Sequence, residues 1–191
     1  IILCISLHAQ TYDNKLKTAQ LEYNKGNFKK AFEITDQIVR EAEKNKKISL
    51  DELTSIKSEN ATYMAFNDKY DESMRIFDAL FNNLGSLSEK TRVHLRKNYG
   101  TTLAFYGYYR DALSQFESAY ELAKKIGIDK DEHISLLNSL AQCCQFVYEF
   151  KRSENYLKEA ITYSEKNGMS KTFDHAVLYS TLGLVYKDML L

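Results

Sequence analysis

Residues 99–120 read Tyr99-Gly-Thr-Thr-Leu-Ala-Phe-Tyr-Gly-Tyr-Tyr-Arg-Asp-Ala-Leu-Ser-Gln-Phe-Glu-Ser-Ala-Tyr120. Small and large apolar residues recur there at helical spacing on both sides of Gly107: Tyr99, Gly100 and Leu103 before it, Ala112, Phe116 and Ala119 after it. The stretch predicts two antiparallel helices joined by a tight turn. Gly100 and Ala112 are small enough for the two backbones to cross closely, and Tyr99, Leu103, Tyr109 and Phe116 would fill the space around the crossing.

The same pattern recurs along the chain. Aligning the short turns puts Phe28, Tyr70, Tyr109 and Phe150 at one equivalent position, at separations of 42, 39 and 41 residues. Three residues after each comes a small residue, Ala31, Ser73, Ala112 or Ser153, where a second helix must press on a first. Gly85, Gly127 and Gly168 each follow a helical pattern and read as left-handed C-terminal caps. Ser49-Leu-Asp-Glu52, Ser86-Leu-Ser-Glu89 and Asp129-Lys-Asp-Glu132 each set a capping side chain three residues before a Glu. Helix pairs are expected at 13–24 and 28–45, 51–66 and 70–83, 89–105 and 109–125, 131–147 and 150–166, with a ninth helix from 173 onward.

Composition agrees with an all-α chain. Its 191 residues include no Pro and only 7 Gly, and 44% are hydrophobic, which excludes both a turn-rich β-sandwich and a disordered polymer. Lys plus Arg and Asp plus Glu number 26 each, so no net field draws the chain to nucleic acid or to an anionic membrane.

These residues resemble the tetratricopeptide (TPR) repeat family, in its long-period bacterial type. Tyr179, Leu182, Gly183 and Tyr186 reproduce the family's first-helix pattern. Gly26-Asn-Phe28-Lys-Lys-Ala31 and Gly107-Tyr-Tyr109-Arg-Asp-Ala112 reproduce its turn and second helix. The chain departs from the pattern in lacking the repeat-ending Pro, in placing Asp68 and Tyr148 where the turn Gly belongs, and in a period near 41 rather than 34. The resemblance implies a right-handed superhelix, or solenoid, of antiparallel helix hairpins. One array over 11–191 is expected, with repeats at about 13–48, 49–87, 88–128 and 129–170 and a partial fifth at 171–191.

A stack of this kind offers an extended groove lined by its first helices. Carrying the family's groove-facing positions onto this chain names Ser58 and Thr62, then His94, Lys97 and Thr101, then Asn138, Gln142 and Gln145 as partner-binding candidates. Phe66, Phe105 and Phe146 share one position near the ends of three first helices; they either line the groove or plug the space between hairpins. The resemblance implies a non-catalytic module that binds a protein or peptide partner, or the extracytoplasmic sensory input of a longer signalling protein such as a histidine kinase or transcriptional regulator.

Chemistry-bearing motifs are sparse. His8, His94, His133 and His175 have no partner at metal or nucleophile spacing, and no phosphate-cradling glycine loop occurs, so neither a cofactor, a metal nor catalysis is expected. Asp129, Asp131, Glu132 and His133 cluster at a helix start, where acids cap amides. Cys143 and Cys144 read as small buried residues, and the Asn60-Ala-Thr62 sequon falls on a packing face.

The two ends differ from the repeats. Ile1–Leu7 is almost wholly apolar and precedes His8-Ala9-Gln10, so residues 1–9 read as the remnant of a signal peptide, with export to the periplasm expected and a cytoplasmic location as the alternative. Cys4 is a poorer reading as a lipid anchor, because Leu3 is bulky. At the other end, Leu178, Leu182, Val185, Tyr186 and Met189 give the ninth helix an apolar surface with no second helix to cover it. The expectation is that the natural protein continues, and that this end self-associates through the uncovered helix.

Overall fold

The computed structural model describes the backbone of residues 2–190 and the side chains of residues 12–190. The cleavage site after Ala9 and the reading of Cys4 lie outside the described side chains. Among the described residues there are nine α-helices and no strand: α1 Ile2–Asn24, α2 Phe28–Lys44, α3 Leu50–Ala65, α4 Tyr70–Phe81, α5 Glu89–Phe105, α6 Tyr109–Ile126, α7 Lys130–Phe146, α8 Phe150–Lys166 and α9 Phe173–Asp188. A single 3-10 turn, Leu84–Ser86, lies between α4 and α5. Most ends fall within one or two residues of expectation. The exception is α1, which begins at Ile2 rather than near 13; no Gly or Pro interrupts the chain before Gly26.

The turns inside the hairpins explain why the helices stop where they do. Each contains one residue with positive φ: Gly26 at 80°, Asp68 at 62°, Gly107 at 82° and Tyr148 at 64°. A left-handed residue reverses the chain within a few residues, and glycine adopts that conformation without steric cost. Asp68 and Tyr148 hold the glycine conformation with a side chain attached. Tyr148 is 82% exposed, so little packing offsets its strain. Tyr148→Gly is therefore expected to stabilise the protein by about 1 kcal/mol, read as a higher urea midpoint.

The caps need three corrections. Gly127 and Gly168 are left-handed as expected, at φ 70° and 75°, but Gly85 is not, because it sits inside the 3-10 turn. Ser49 caps α3, its hydroxyl accepting from the Glu52 amide at 3.1 Å. Ser86 lies in the 3-10 turn, and Ser88 is the residue that accepts from the Thr91 amide at 3.3 Å to start α5. Asp129 caps α7 by accepting from the Asp131 amide at 3.0 Å, one residue earlier than the expected box.

The chain divides into two compact units, Ile1–Thr102 and Leu103–Leu191. The first unit holds α1 to α4 and most of α5. Ala19 and Ala31 are both fully buried in one cluster with Tyr63 and Phe66, so two small residues let α1 and α2 meet closely. Tyr12, Ile38, Ala42 and Ile56 form a second cluster, and Ala61, Phe77, Leu80, Leu87 and Leu95 a third. In the second unit, α7 packs on α8 and α8 on α9. Ser153 donates to the Ala141 carbonyl at 2.7 Å with both residues fully buried, which ties α7 to α8. Gly100, Leu103, Ala112 and Phe116 of the defining hairpin are all buried.

Candidate functional site

In the first unit the expected groove residues divide. Ser58 and Thr62 are buried, at 0% and 5% exposure. Their hydroxyls belong to a polar seam between α3 and α5. Asn98 Nδ2 donates to Ser58 Oγ at 2.9 Å, Thr62 Oγ1 donates to its own-helix carbonyl of Ser58 at 3.0 Å and to the Asn98 carbonyl at 3.3 Å, and Thr102 Oγ1 lies 3.5 Å from Thr62 Oγ1. Short hydroxyls that find carbonyls in this way can be buried without penalty. His94 sits half-buried at the edge of the seam, with Nε2 3.1 Å from Asn98 Nδ2 and 3.3 Å from Glu59 Oε1. Lys97 and Thr101 are also half-buried, and Thr101 Oγ1 donates to the Lys97 carbonyl at 2.9 Å.

The second unit presents more of its candidates. Gln142 on α7 is exposed, and Phe146, one turn further on, is 55% exposed. Gln145 Nε2 donates to Asp188 Oδ2 of α9 at 2.6 Å, tying the adjacent first helices α7 and α9 together. Leu184, one turn before Asp188 on the same side of α9, is 53% exposed. Asn138 is half-buried, and its Oδ1 has no hydrogen-bond partner. Leu184 was not among the sequence candidates; its one signal is its position, one residue after Gly183 of the family-like pattern.

The three phenylalanines do not behave alike. Phe66 is 8% exposed, stacked on Tyr23 at 5.3 Å and tilted against Phe28 at 5.5 Å, so it plugs the core. Phe146 stacks flat on Tyr109, with centroids 4.1 Å apart, yet stays half in solvent. Counted from the turns, Ala104 and Cys143 stand in the second unit where Tyr23 and Tyr63 wall in Phe66. The aromatic wall is missing, and the ring is left uncovered. Phe105 is 53% exposed.

Other candidates resolve into structure. Cys143 and Cys144 are free and buried, and burial pushes their thiols up to about 12 and about 11, away from thiolate reactivity. Asn60 is 3% exposed and donates to Thr35 Oγ1 at 3.1 Å, so its sequon is inaccessible in the fold. His133 packs its ring on Tyr163 at 4.4 Å, and burial lowers its pKa. No group of three or more metal-ligating side chains is brought together among the described residues. No helix among them is long and apolar enough to cross a membrane.

Two buried glutamates, Glu22 and Glu154, carry a pH signature, and Glu154 is the one that links α8 to α9. Glu154 on α8 is buried and accepts from Lys158 Nζ at 2.6 Å, Lys151 Nζ at 2.7 Å and the Tyr186 hydroxyl of α9 at 3.0 Å. Those donors, the Lys151 bond foremost, hold its carboxyl down at about 2, against 4.5 for an ordinary Glu. A depressed native pKa means stability present above the unfolded value and lost as pH falls through the folded one. Glu154→Gln is therefore expected to flatten the acid limb of the stability profile between about pH 4.5 and 2. Thermal melts across that range are the measurement, and an unchanged limb would show that the three donors do not act on this carboxylate.

No protein-family model matches the chain, and no curated protein matches it. Solved structures do, as to fold. The chain is similar over 95% of its length to 88% of a putative kinesin light chain with nearly identical TPR-like repeats from Podospora anserina, at 13% identity and a TM-score of 0.68. It is similar over 94% of its length to 49% of the apo quorum sensor NprR from B. thuringiensis, at 11% identity and a TM-score of 0.69. It is also similar over 94% of its length to 71% of Bacillus thuringiensis PlcR, solved in complex with the peptide PapR7 and DNA, at 15% identity and a TM-score of 0.65. The fold is therefore all-α and TPR-like, and at these identities the likeness is one of fold alone.

Proposed function

We propose that this chain is a non-catalytic interaction module that holds a protein or peptide segment against the exposed face of α7 and α9. The observation that carries the reading is that two adjacent first helices, joined by the Gln145–Asp188 hydrogen bond, leave a mixed surface of amide and apolar side chains in solvent: Gln142 and Phe146 on one, Leu184 on the other. Amides pair with a peptide backbone, and half-exposed apolar groups offer anchorage for its side chains. PlcR, of similar fold, is solved with a bound peptide, which supports the class of partner.

The test is selection of peptides on the immobilised protein, followed by titration against a Phe146→Ala/Leu184→Ala variant. Selected peptides should bind that variant at least about tenfold more weakly, with helical circular dichroism unchanged. Peptides that bind both proteins equally would overturn the assignment of this face.

A sensory role in a longer, exported signalling protein belongs to the same proposal. It is supported by the likeness of the chain to the apo quorum sensor NprR and to a STAND protein with a tetratricopeptide repeat sensor from Pyrococcus horikoshii, of which the chain covers 49% and 26%. Fusion of the gene's own 5′ region to alkaline phosphatase, active only outside the cytoplasm, tests the export.

A further inference from the structure

The first unit contains an open-mouthed pocket of about 420 Å³ between α2, α3 and α4. Its walls are aliphatic: Val39 from α2, Leu50 and Leu53 from α3, Ile76, Ala79 and Leu80 from α4. Val39 and Leu53 are held from behind by the cluster around Ile38 and Ile56, and Ile76 by the cluster around Phe77, so the walls are anchored. The rim is polar and carries three charges: Lys57 and Glu43, paired at 2.6 Å, and Arg75.

The second unit shows what this place looks like when the chain fills it. Helices α6, α7 and α8 are the counterparts of α2, α3 and α4, and positions can be counted from the left-handed residue of each turn. Val39 stands 13 residues after Gly26, as Tyr120 stands after Gly107. By the same count from Asp68 and Tyr148, Leu53 corresponds to His133, Ile76 to Tyr156, Ala79 to Glu159 and Asn83 to Tyr163. Those larger residues close the space on one another. His133 meets Tyr163 at 4.4 Å and Tyr120 at 6.1 Å, Tyr120 meets Tyr156 at 5.9 Å, and the Tyr120 hydroxyl donates to Glu159 Oε1 at 2.5 Å. One chain thus packs this junction with three tyrosines and a histidine in one unit and leaves it open, behind aliphatic walls, in the other. A cleft of about 300–1,000 Å³ with mostly apolar walls and a few polar groups at its rim is the form of a small-molecule site.

We infer that the α2–α3–α4 pocket is a binding site for a small apolar monocarboxylate, its hydrocarbon against Val39, Leu53, Ile76 and Ala79 and its carboxylate at Arg75. The charge assignment follows from the rim. Lys57 is neutralised by Glu43, whereas Arg75 is exposed and has no ion-pair partner among the described residues. A guanidinium is suited to bidentate recognition of a carboxylate. Asp71 and Asp78 flank Arg75 on the same face of α4, which disfavours ligands of higher negative charge. The site is separate from the α7/α9 face and stands whether or not that face binds a peptide.

Isothermal titration calorimetry of the full chain with octanoate, and with 1-octanol as the uncharged probe, tests it. Octanoate should bind saturably, and Arg75→Gln should weaken it about tenfold while leaving octanol affinity unchanged. Ala79→Phe, which places a ring where the second unit has its aromatic packing, should abolish binding of both probes without lowering the melting temperature. Val39→Phe fills the same space from α2 and covers the case in which Ala79→Phe fails to fold. Failure of octanoate to saturate below about 10 mM, undiminished binding to a folded pocket-filled variant, or equal loss of octanol in Arg75→Gln would each overturn the assignment.

Discussion

Replacing Phe77 with alanine is expected to lower the unfolding free energy by about 3–5 kcal/mol. Phe77 is fully buried on α4 and shares its cluster with Ala61 of α3, Leu80 of α4 itself, Leu87 at the entry to α5 and Leu95 within α5. Its ring lies 5.0 Å from that of Tyr99. One side chain therefore fills the junction of three helices in the first unit. Collapse into the vacated space is limited, because Ala61 is small and the remaining neighbours are fixed by their own helices. Against a typical total of about 5–15 kcal/mol for a domain, the loss is large. Urea unfolding followed by circular dichroism measures it. Phe81→Ala, at a half-buried ring 5.2 Å from Tyr99, is the control and should cost much less. A loss below about 1 kcal/mol for Phe77→Ala would mean that α3, α4 and α5 do not meet around this ring.

The helices and their turns were legible because their signals are local. Gly26 and Gly107 announce left-handed turns, and the small residues Ala31, Ala112 and Ser153 sit three residues after an aromatic whatever lies elsewhere. Even Asp68 and Tyr148 could be aligned with those glycines, and the backbone shows that they adopt glycine's conformation. The candidate site was less legible, since exposure depends on what a neighbouring helix brings. Thr62 and Gln142 share one position on their helices, yet Thr62 is closed over by Asn98 and Thr102 while Gln142 reaches solvent. Phe66 and Phe146 differ for the same reason, one being walled in by Tyr23 and Tyr63 and the other not. The α2–α3–α4 pocket was invisible in the sequence, because it arises from the summed small volumes of Val39, Leu53, Ile76 and Ala79 on three separate helices.

The seam between α3 and α5 gives the second large effect, an expected loss of about 1–3 kcal/mol for Asn98→Leu. Leucine keeps the branching and heavy-atom count of asparagine, although its methyl groups are bulkier, and Ser58 Oγ loses the donor that reaches it at 2.9 Å. Ser58 retains its own donation to the Ser55 carbonyl at 2.9 Å, which leaves one buried lone pair without a partner rather than an orphaned hydroxyl proton. The cost therefore arises from desolvation of what remains, and removing both polar groups should recover most of it. The Ser58→Ala/Asn98→Leu double variant is expected to be more stable than Asn98→Leu alone, and a double-mutant cycle by chemical unfolding gives the coupling directly. The same cycle separates structure from binding. Ser58→Ala and Thr62→Ala should shift unfolding midpoints and leave affinity for a selected peptide unchanged, whereas Gln142→Ala should do the reverse. If Ser58→Ala weakened binding at undiminished stability, the seam would have to open when a partner arrives, and the binding face would extend into the first unit.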